Sequence, residues 1–311
     1  MNLDRSGRQW LLDGLIIGGI FMSVGAASAQ QDFSRVEIQA TSLGSGLSML
    51  QGAGGNLGVS TGPDGVLLID DQYAPLTEKI RAAVAELSPE PIRFVINTHW
   101  HGDHTGGNEN LGRGGAVILA HDEVRNRMSS DHYMALRDVT IPASPKEALP
   151  ILTYSEGLTL HLNGQTIAVH SVEPAHTDGD SIVHFREADV LHLGDTFFSG
   201  IYPFIDLSSG GRVDGVIAAA ERGLEIAGPK TKIIPGHGSL STRADLAKYR
   251  DMLVSIRDRV RKMIAEGKDR AAVVAAAPSA DFDAEFGGGF MKPEAFVGIV
   301  YGSLVGDSPT R

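Results

Sequence analysis

Ile92-Arg93-Phe94-Val95-Ile96-Asn97-Thr98 runs directly into His99-Trp100-His101-Gly102-Asp103-His104. The first part is a short, apolar, β-branched run of the kind that forms a buried strand. The second places three imidazoles and a carboxylate within six positions at that strand's end. Imidazole nitrogen and carboxylate oxygen are the donors that borderline divalent metals such as zinc prefer. In extended chain His99 and His101 point to the same side, because side chains alternate with period two. Asp103 and His104 are adjacent and, once the backbone turns, face a second point a few ångströms away. The spacing therefore offers ligands to two neighbouring metals. Thr105-Gly106-Gly107-Asn108 then lets the chain turn away.

Working outward, Val66-Leu67-Leu68-Ile69 reads as another buried strand, preceded by the turn Gly62-Pro63-Asp64-Gly65 and ended by Asp70-Asp71. A carboxylate at such a strand end can orient a neighbouring ligand segment, which makes Asp70 a candidate supporting residue. Pro75–Leu87 carries a helical apolar face, so strand, helix and strand form one βαβ step. Further strands are expected at Ala116–Ala120, Leu158–Leu162, Thr166–Val172, Ser181–His184, Val190–Leu193 and Thr231–Ile234. Helices are expected at His121–Met128, Val213–Ala227, Arg243–Glu266, Ala271–Ala277 and Pro293–Leu304. Ser129–Pro150 and Asp281–Gly289 read as loops. Three more ligand-type residues, His176, Asp195 and His237, fall just past strands, where open α/β sheets hold their ligands.

The HxHxDH pattern of His99–His104, followed by His176, Asp195 and His237 in this order, resembles the metallo-β-lactamase superfamily. The resemblance covers roughly residues 47 to 241 and implies an α/β fold, a four-layer αββα sandwich. It implies that His99, His101 and His176 hold one metal, that Asp103, His104 and His237 hold a second, and that Asp195 bridges them. Asp70 matches the family's supporting aspartate. The implied cofactor is two zinc ions per chain, with iron or manganese as alternatives. The implied activity is hydrolysis of a small ester, lactone, thioester or lactam by a metal-bridging hydroxide, with Asp103 orienting that hydroxide and passing its proton on. Two metals about 3.5–4 Å apart can share such a nucleophile. A phosphodiesterase and a mononuclear iron dioxygenase of sulfur compounds are the alternatives on the same fold. Asp195 stands where true β-lactamases commonly carry Cys or Ser, and Phe198 where one branch has a substrate-gripping Lys. The segment Thr196 to Arg212, with Phe197, Phe198, Tyr202 and Phe204, is expected to wall the substrate, and Gly52-Ala53-Gly54-Gly55 to form a mobile flap.

Composition narrows the partners. The 311-residue chain has a formal net charge of −11, which disfavours nucleic acid and anionic membrane surfaces. It has no cysteine, which removes disulfides, thiolate ligands and a cysteine nucleophile together. Arg5 and Arg8 precede an uncharged stretch from Gly14 to Ala27 and then Ala27-Ser28-Ala29, the pattern of a secretory signal. That stretch falls short of the roughly 20 residues needed to span a bilayer. The expected organisation is a signal peptide at 1–29 and one hydrolase domain at 30–311 with C-terminal helices. The mature protein is expected in the periplasm or secreted, acting on a small molecule without stable membrane insertion.

Overall fold

Short strands in which alternate residues point to opposite faces build this molecule in layers. The structure, a computed structural model, describes residues 32–135 and 138–306; the expected signal peptide at 1–29 lies outside them. In chain order the first elements are β1 (Gln39–Gly44), β2 (Leu47–Gln51), β3 (Leu57–Ser60), β4 (Val66–Ile69), α1 (Thr77–Leu87) and β5 (Ile92–Ile96). Next come α2 (Gly102–Thr105), α3 (Asn108–Arg113), β6 (Val117–His121), α4 (Asp122–Met128), β7 (His132–Met134), β8 (Val139–Ile141) and β9 (Leu152–Tyr154). The second half holds β10 (Gly157–Leu162), β11 (Gln165–Ser171), β12 (Ser181–Phe185), β13 (Val190–His192), α5 (Val213–Ile226) and β14 (Lys232–Ile234). It closes with α6 (Arg243–Ala265), α7 (Arg270–Ala275), α8 (Ala280–Phe286) and α9 (Pro293–Val305).

A seven-stranded sheet runs β1-β2-β3-β4-β5-β6-β9, and a five-stranded sheet runs β10-β11-β12-β13-β14. On β4, Val66 and Leu68 face Leu76, Ile80 and Val84 around α1. Leu67 and Ile69, one step out of phase, face Ile167, Val183 and Phe185 of the other sheet. The second sheet divides in the same way. Ile182, Leu191 and Ile233 pack outward with Val216 of α5 and Leu246 and Leu253 of α6, while Val183, Val190 and Ile234 face the first sheet. The result is helix, sheet, sheet, helix. Each such fully buried side chain contributes about 1.5–3 kcal/mol.

Parallel pairing sets the position of the site. β4 and β5 pair with Ile69 opposite Ile96, so Asp70 and the Asn97–Thr98 segment leave the sheet side by side. β13 and β14 pair with His192 opposite Ile234, which brings the Asp195 and His237 loops to one edge. Asn56, at the start of β3, ties the two edges together: its Nδ2 donates to the carbonyls of Pro235 (2.9 Å) and Gly238 (2.9 Å).

Several local expectations need correction. Asp281–Gly289 is largely helix α8, in which Phe286 is buried. The Ser129–Pro150 span contains the β7–β8 hairpin. β9 was not expected at all: it is a three-residue edge strand with only Tyr154 buried. On α6, Thr242 and Asp245 form a capping box at the helix start.

Candidate metal centre

The turn after β4 positions most of the hexapeptide. Asp70 and Gln72 hold φ of 63° and 56°, a left-handed conformation that costs most non-glycine residues energy and concentrates at functional sites. Three successive side chains each use that turn differently. Asp70 Oδ1 accepts from Thr98 N at 2.7 Å, and its Oδ2 accepts from Thr98 Oγ1 at 2.7 Å. Asp70 Oδ2 also lies 2.7 Å from His104 Nδ1. Asp71 Oδ1 accepts from Gly107 N at 2.8 Å. Gln72 Nε2 donates to the Gly55 carbonyl at 2.7 Å.

These bonds fix which nitrogen of each imidazole faces inward. Thr98 Oγ1 spends its proton on Asp70, so at 3.1 Å it accepts from His99 Nδ1, leaving Nε2 as the inward atom. His101 Nε2 lies 3.0 Å from Asp206 Oδ2, which turns Nδ1 inward. His176 Nδ1 donates to the Phe204 carbonyl at 2.7 Å and turns Nε2 inward. His104, held through Nδ1 by Asp70, does the same. The His237 ring stacks on Phe198, with centroids 5.2 Å apart and planes at 13°.

The inward atoms form two adjoining groups. His99, His101, His176 and Asp195 each offer an atom within 4.8 Å of the others, and so do Asp103, His104 and His237. Asp195 stands between them, with Oδ1 3.1 Å from His104 Nε2 and Oδ2 3.5 Å from His176 Nε2 and 3.4 Å from His237 Nε2. Asp103 Oδ2 is 3.3 Å from His237 Nε2. His99 Nε2 is buried and makes no hydrogen bond among the described residues, and buried Asp195 Oδ1 makes none of good geometry despite its approach to His104 Nε2. Buried donors and charges of this kind are stable when paired or when they coordinate a metal. Gly55 and Gly236 complete the fit: a Cβ at either would fall 2.1 Å from the His104 ring or 2.0 Å from Asp195 Oδ1. The donor set, its orphaned atoms and its glycine cradle fit divalent cations.

Electrostatics follow from burial and from the carboxylates. Burial pushes His99, His101 and His176 below the usual imidazole range, which keeps them neutral and able to ligate. Burial opposes the charged form of His104 and His237 too, but Asp195 and Asp103 outweigh it and raise both, His237 to about 9. For Asp103 and Asp195 burial is again outweighed, here by the facing imidazoles, and both stay below the usual carboxylate range.

Above the donors opens a cavity of about 280 Å³. His101, Asp103, Asp195 and His237 line its floor. Ala53, Tyr73, Phe204 and Phe290 line its sides. Of the aromatic residues expected to wall the substrate, Phe204 lines the cavity and the other three do not. Phe197 is buried against Tyr249, and Tyr202 is buried between Phe286 and Phe296, with its hydroxyl donating to Asp283 Oδ1 at 2.7 Å. Both belong to the core. Phe198 is also fully buried and supports His237 from behind. The Gly52–Gly55 turn is no free flap either, since Gly55 N donates to the Asp103 carbonyl at 3.1 Å and Gln72 holds the Gly55 carbonyl. Asp180 holds the His176 loop by accepting from Thr177 N (2.8 Å) and Thr177 Oγ1 (2.7 Å), whereas Asp178 pairs with Arg127.

Sequence reading missed Asp71, Gln72, Asp206 and Phe290. Asp206 carried one local signal, the turn pattern Asp206-Leu207-Ser208-Ser209-Gly210, in which it caps a short helical turn. Nothing local connects it to His101, 105 positions away.

Comparison with known proteins agrees with this geometry. Residues 54–255 match the family model described as the metallo-beta-lactamase superfamily. The alpha subunit of 2,4-dinitroanisole O-demethylase from Nocardioides sp. (strain JS1661) is 29% identical over 45% of this chain and 40% of that protein. The acyl-coenzyme A thioesterase MBLAC2 of Gallus gallus is 27% identical over 48% of this chain and 57% of that protein. The chain thus spans about half the length of these curated relatives. Among solved structures, a metallo-beta-lactamase from Pontibacter korlensis superposes with a TM-score of 0.57 at 18% identity, covering 70% of this chain and 99% of that one.

Proposed function

The chain belongs to the metallo-beta-lactamase superfamily, and from that premise we propose that it is a dinuclear zinc hydrolase of a small ester, lactone, thioester or lactam. The observation that carries the reading is the pair of adjoining donor groups sharing Asp195 on the floor of an open cavity. His99, His101, His176 and Asp195 would hold one cation; Asp103, His104 and His237, with Asp195, the other. When bound, the metals supply Lewis-acid polarisation and lower the pKa of water to roughly 7.

The chain's own residues do the rest. Asp70, Asp206 and the Phe204 carbonyl hold three of the imidazoles in the ligating tautomer. The Asp103 side chain is 17% exposed and faces the cavity, where its carboxylate can orient a water and accept its proton. Tyr73 and Phe204 line the sides of that cavity. No serine or lysine lines the cavity among the described residues and the chain has no cysteine, so attack by water is the reading the lining supports. A relative acting as a thioesterase supports acyl transfer to water. The 1–29 stretch supports export to the periplasm and a small-molecule substrate met there.

The test is to express the chain from Gln30 onward, count metals per chain by elemental analysis, and assay a chromogenic cephalosporin, a lactone and a thioester. Two zinc ions per chain, with turnover that Asp103→Ala lowers by about 10²-fold or more, is the expected result. A single iron without hydrolysis would overturn it.

A further inference from the structure

Phe290 lies beyond residue 255, where the family match ends, yet it reaches the metal cavity. Its ring is 6.3 Å from that of His237 and 6.2 Å from that of Phe198. It is 59% exposed, although Phe286 before it and Met291 after it are buried. Those two residues anchor the α8–α9 connection, and Tyr202 strengthens the anchor: its N–H donates to the Phe286 carbonyl at 2.9 Å and its ring stacks on Phe286 and Phe296. The loop is thus held so that one large apolar ring stands open to solvent at the mouth of the site. Tyr73 and Phe204 stand around the same cavity, Phe204 stacked at 25° on the His101 ring. No lysine or arginine lines the cavity among the described residues. Recognition of a substrate carboxylate or phosphate normally enlists such a cation, whereas aromatic sides with few polar groups suit an apolar ligand.

We propose that Phe290 is a specificity-determining residue: with Tyr73 and Phe204 it receives the uncharged, apolar acyl group of the substrate whose reacting carbonyl lies over the metal donors. The C-terminal helices thereby set the substrate class, neutral acyl compounds with an apolar chain. The proposal rests on the hydrolase reading above.

The experiment compares zinc-loaded wild type, Phe290→Ala and Phe290→Leu on nitrophenyl acetate, butyrate, octanoate and hemisuccinate. In Phe290→Ala the ratio of kcat/KM for octanoate over acetate is expected to fall about tenfold, through KM. Phe290→Leu should restore most of that ratio, which a merely structural defect would not do. Wild type is expected to prefer butyrate over the similar but anionic hemisuccinate by about tenfold. An unchanged octanoate-to-acetate ratio in Phe290→Ala, or equal use of hemisuccinate by wild type, overturns the proposal. If wild type hydrolyses none of the esters, the hydrolase reading fails on its own account. Calorimetry with acetohydroxamate and octanohydroxamate then decides the subsite. Tighter binding of the octanoyl compound that Phe290→Ala abolishes upholds it, and equal binding of the two by wild type overturns it.

Discussion

Asp206 holds the far side of His101 at 3.0 Å while also accepting from Ser208 and Ser209, so one buried carboxylate fixes a ring and the loop that carries it. Partners of this kind typically change metal affinity 10–100-fold when removed. Asp206→Asn is accordingly expected to weaken metal binding by about that factor, read by competition with a chromophoric chelator, with the far-UV spectrum unchanged. A second expectation concerns protons. In the metal-free protein His104 and His237 are held above the usual imidazole range, His237 at about 9, by Asp195 and Asp103. At neutral pH His237 therefore keeps its proton, and a cation must displace it. Zinc binding should therefore release protons, and apparent affinity should rise with pH until His237 is deprotonated at about 9. Calorimetry in buffers of different ionisation enthalpy counts the protons; no dependence on buffer would contradict this account.

At the scale of elements, the site is a set of strand ends clasped by short turns. The Gly52–Gly55 turn between β2 and β3 lies against the His104 ring, leaving no room for a side chain at Gly55. Gly55→Ala should displace His104 and lower the metal content per chain while the His99–His101–His176 group keeps its ion, as elemental analysis would show. Full metal content in that variant would mean the turn yields more easily than its hydrogen bonds suggest. The elements also differ in how well sequence revealed them. The strands around Val66–Ile69 and Ile92–Ile96 were legible as a continuous apolar run and as one interrupted only by Arg93, each bounded by turns. β9 was not, because two of its three residues are exposed and its pairing with β6 supplies the order. α8 was hidden by polar composition: Phe282 and Phe286, one helical turn apart, pack into the core alongside α9, a partner that no local pattern reveals.

For the whole molecule, the donors come from both sheets: His99 to His104 follow β5, whereas His176, Asp195 and His237 come from loops of the second sheet. A bound cation would therefore fasten one half of the sandwich to the other. Metal at about 1,000 times its dissociation constant stabilises the folded state by about 4 kcal/mol, and for a domain of this size each kcal/mol moves Tm by about 2–4 °C. Stripping the protein with a chelator should thus lower Tm by roughly 10 °C, and re-addition of zinc should restore it. An unchanged Tm would show that the two sheets hold together without the site.

The sequence by itself singled out the candidate donors, and its family resemblance implied the layers. Seven ligand-type residues stand out because they fall just past strands, four of them within six positions where a buried apolar run stops. The alternation within those runs separates the outer cores from the one between the sheets. Tertiary structure alone decided what surrounds the donors. Asp206 meets His101, Gln72 meets Gly55 and Phe290 meets His237 across long stretches of chain. Phe197 and Tyr202, as aromatic as Phe290, went to the core instead. Residue type fixes what a side chain can do, but which cavity it enters depends on the packing of helices and sheets distant in sequence, and periodicity records only whether a residue faces a neighbour, not which neighbour that is.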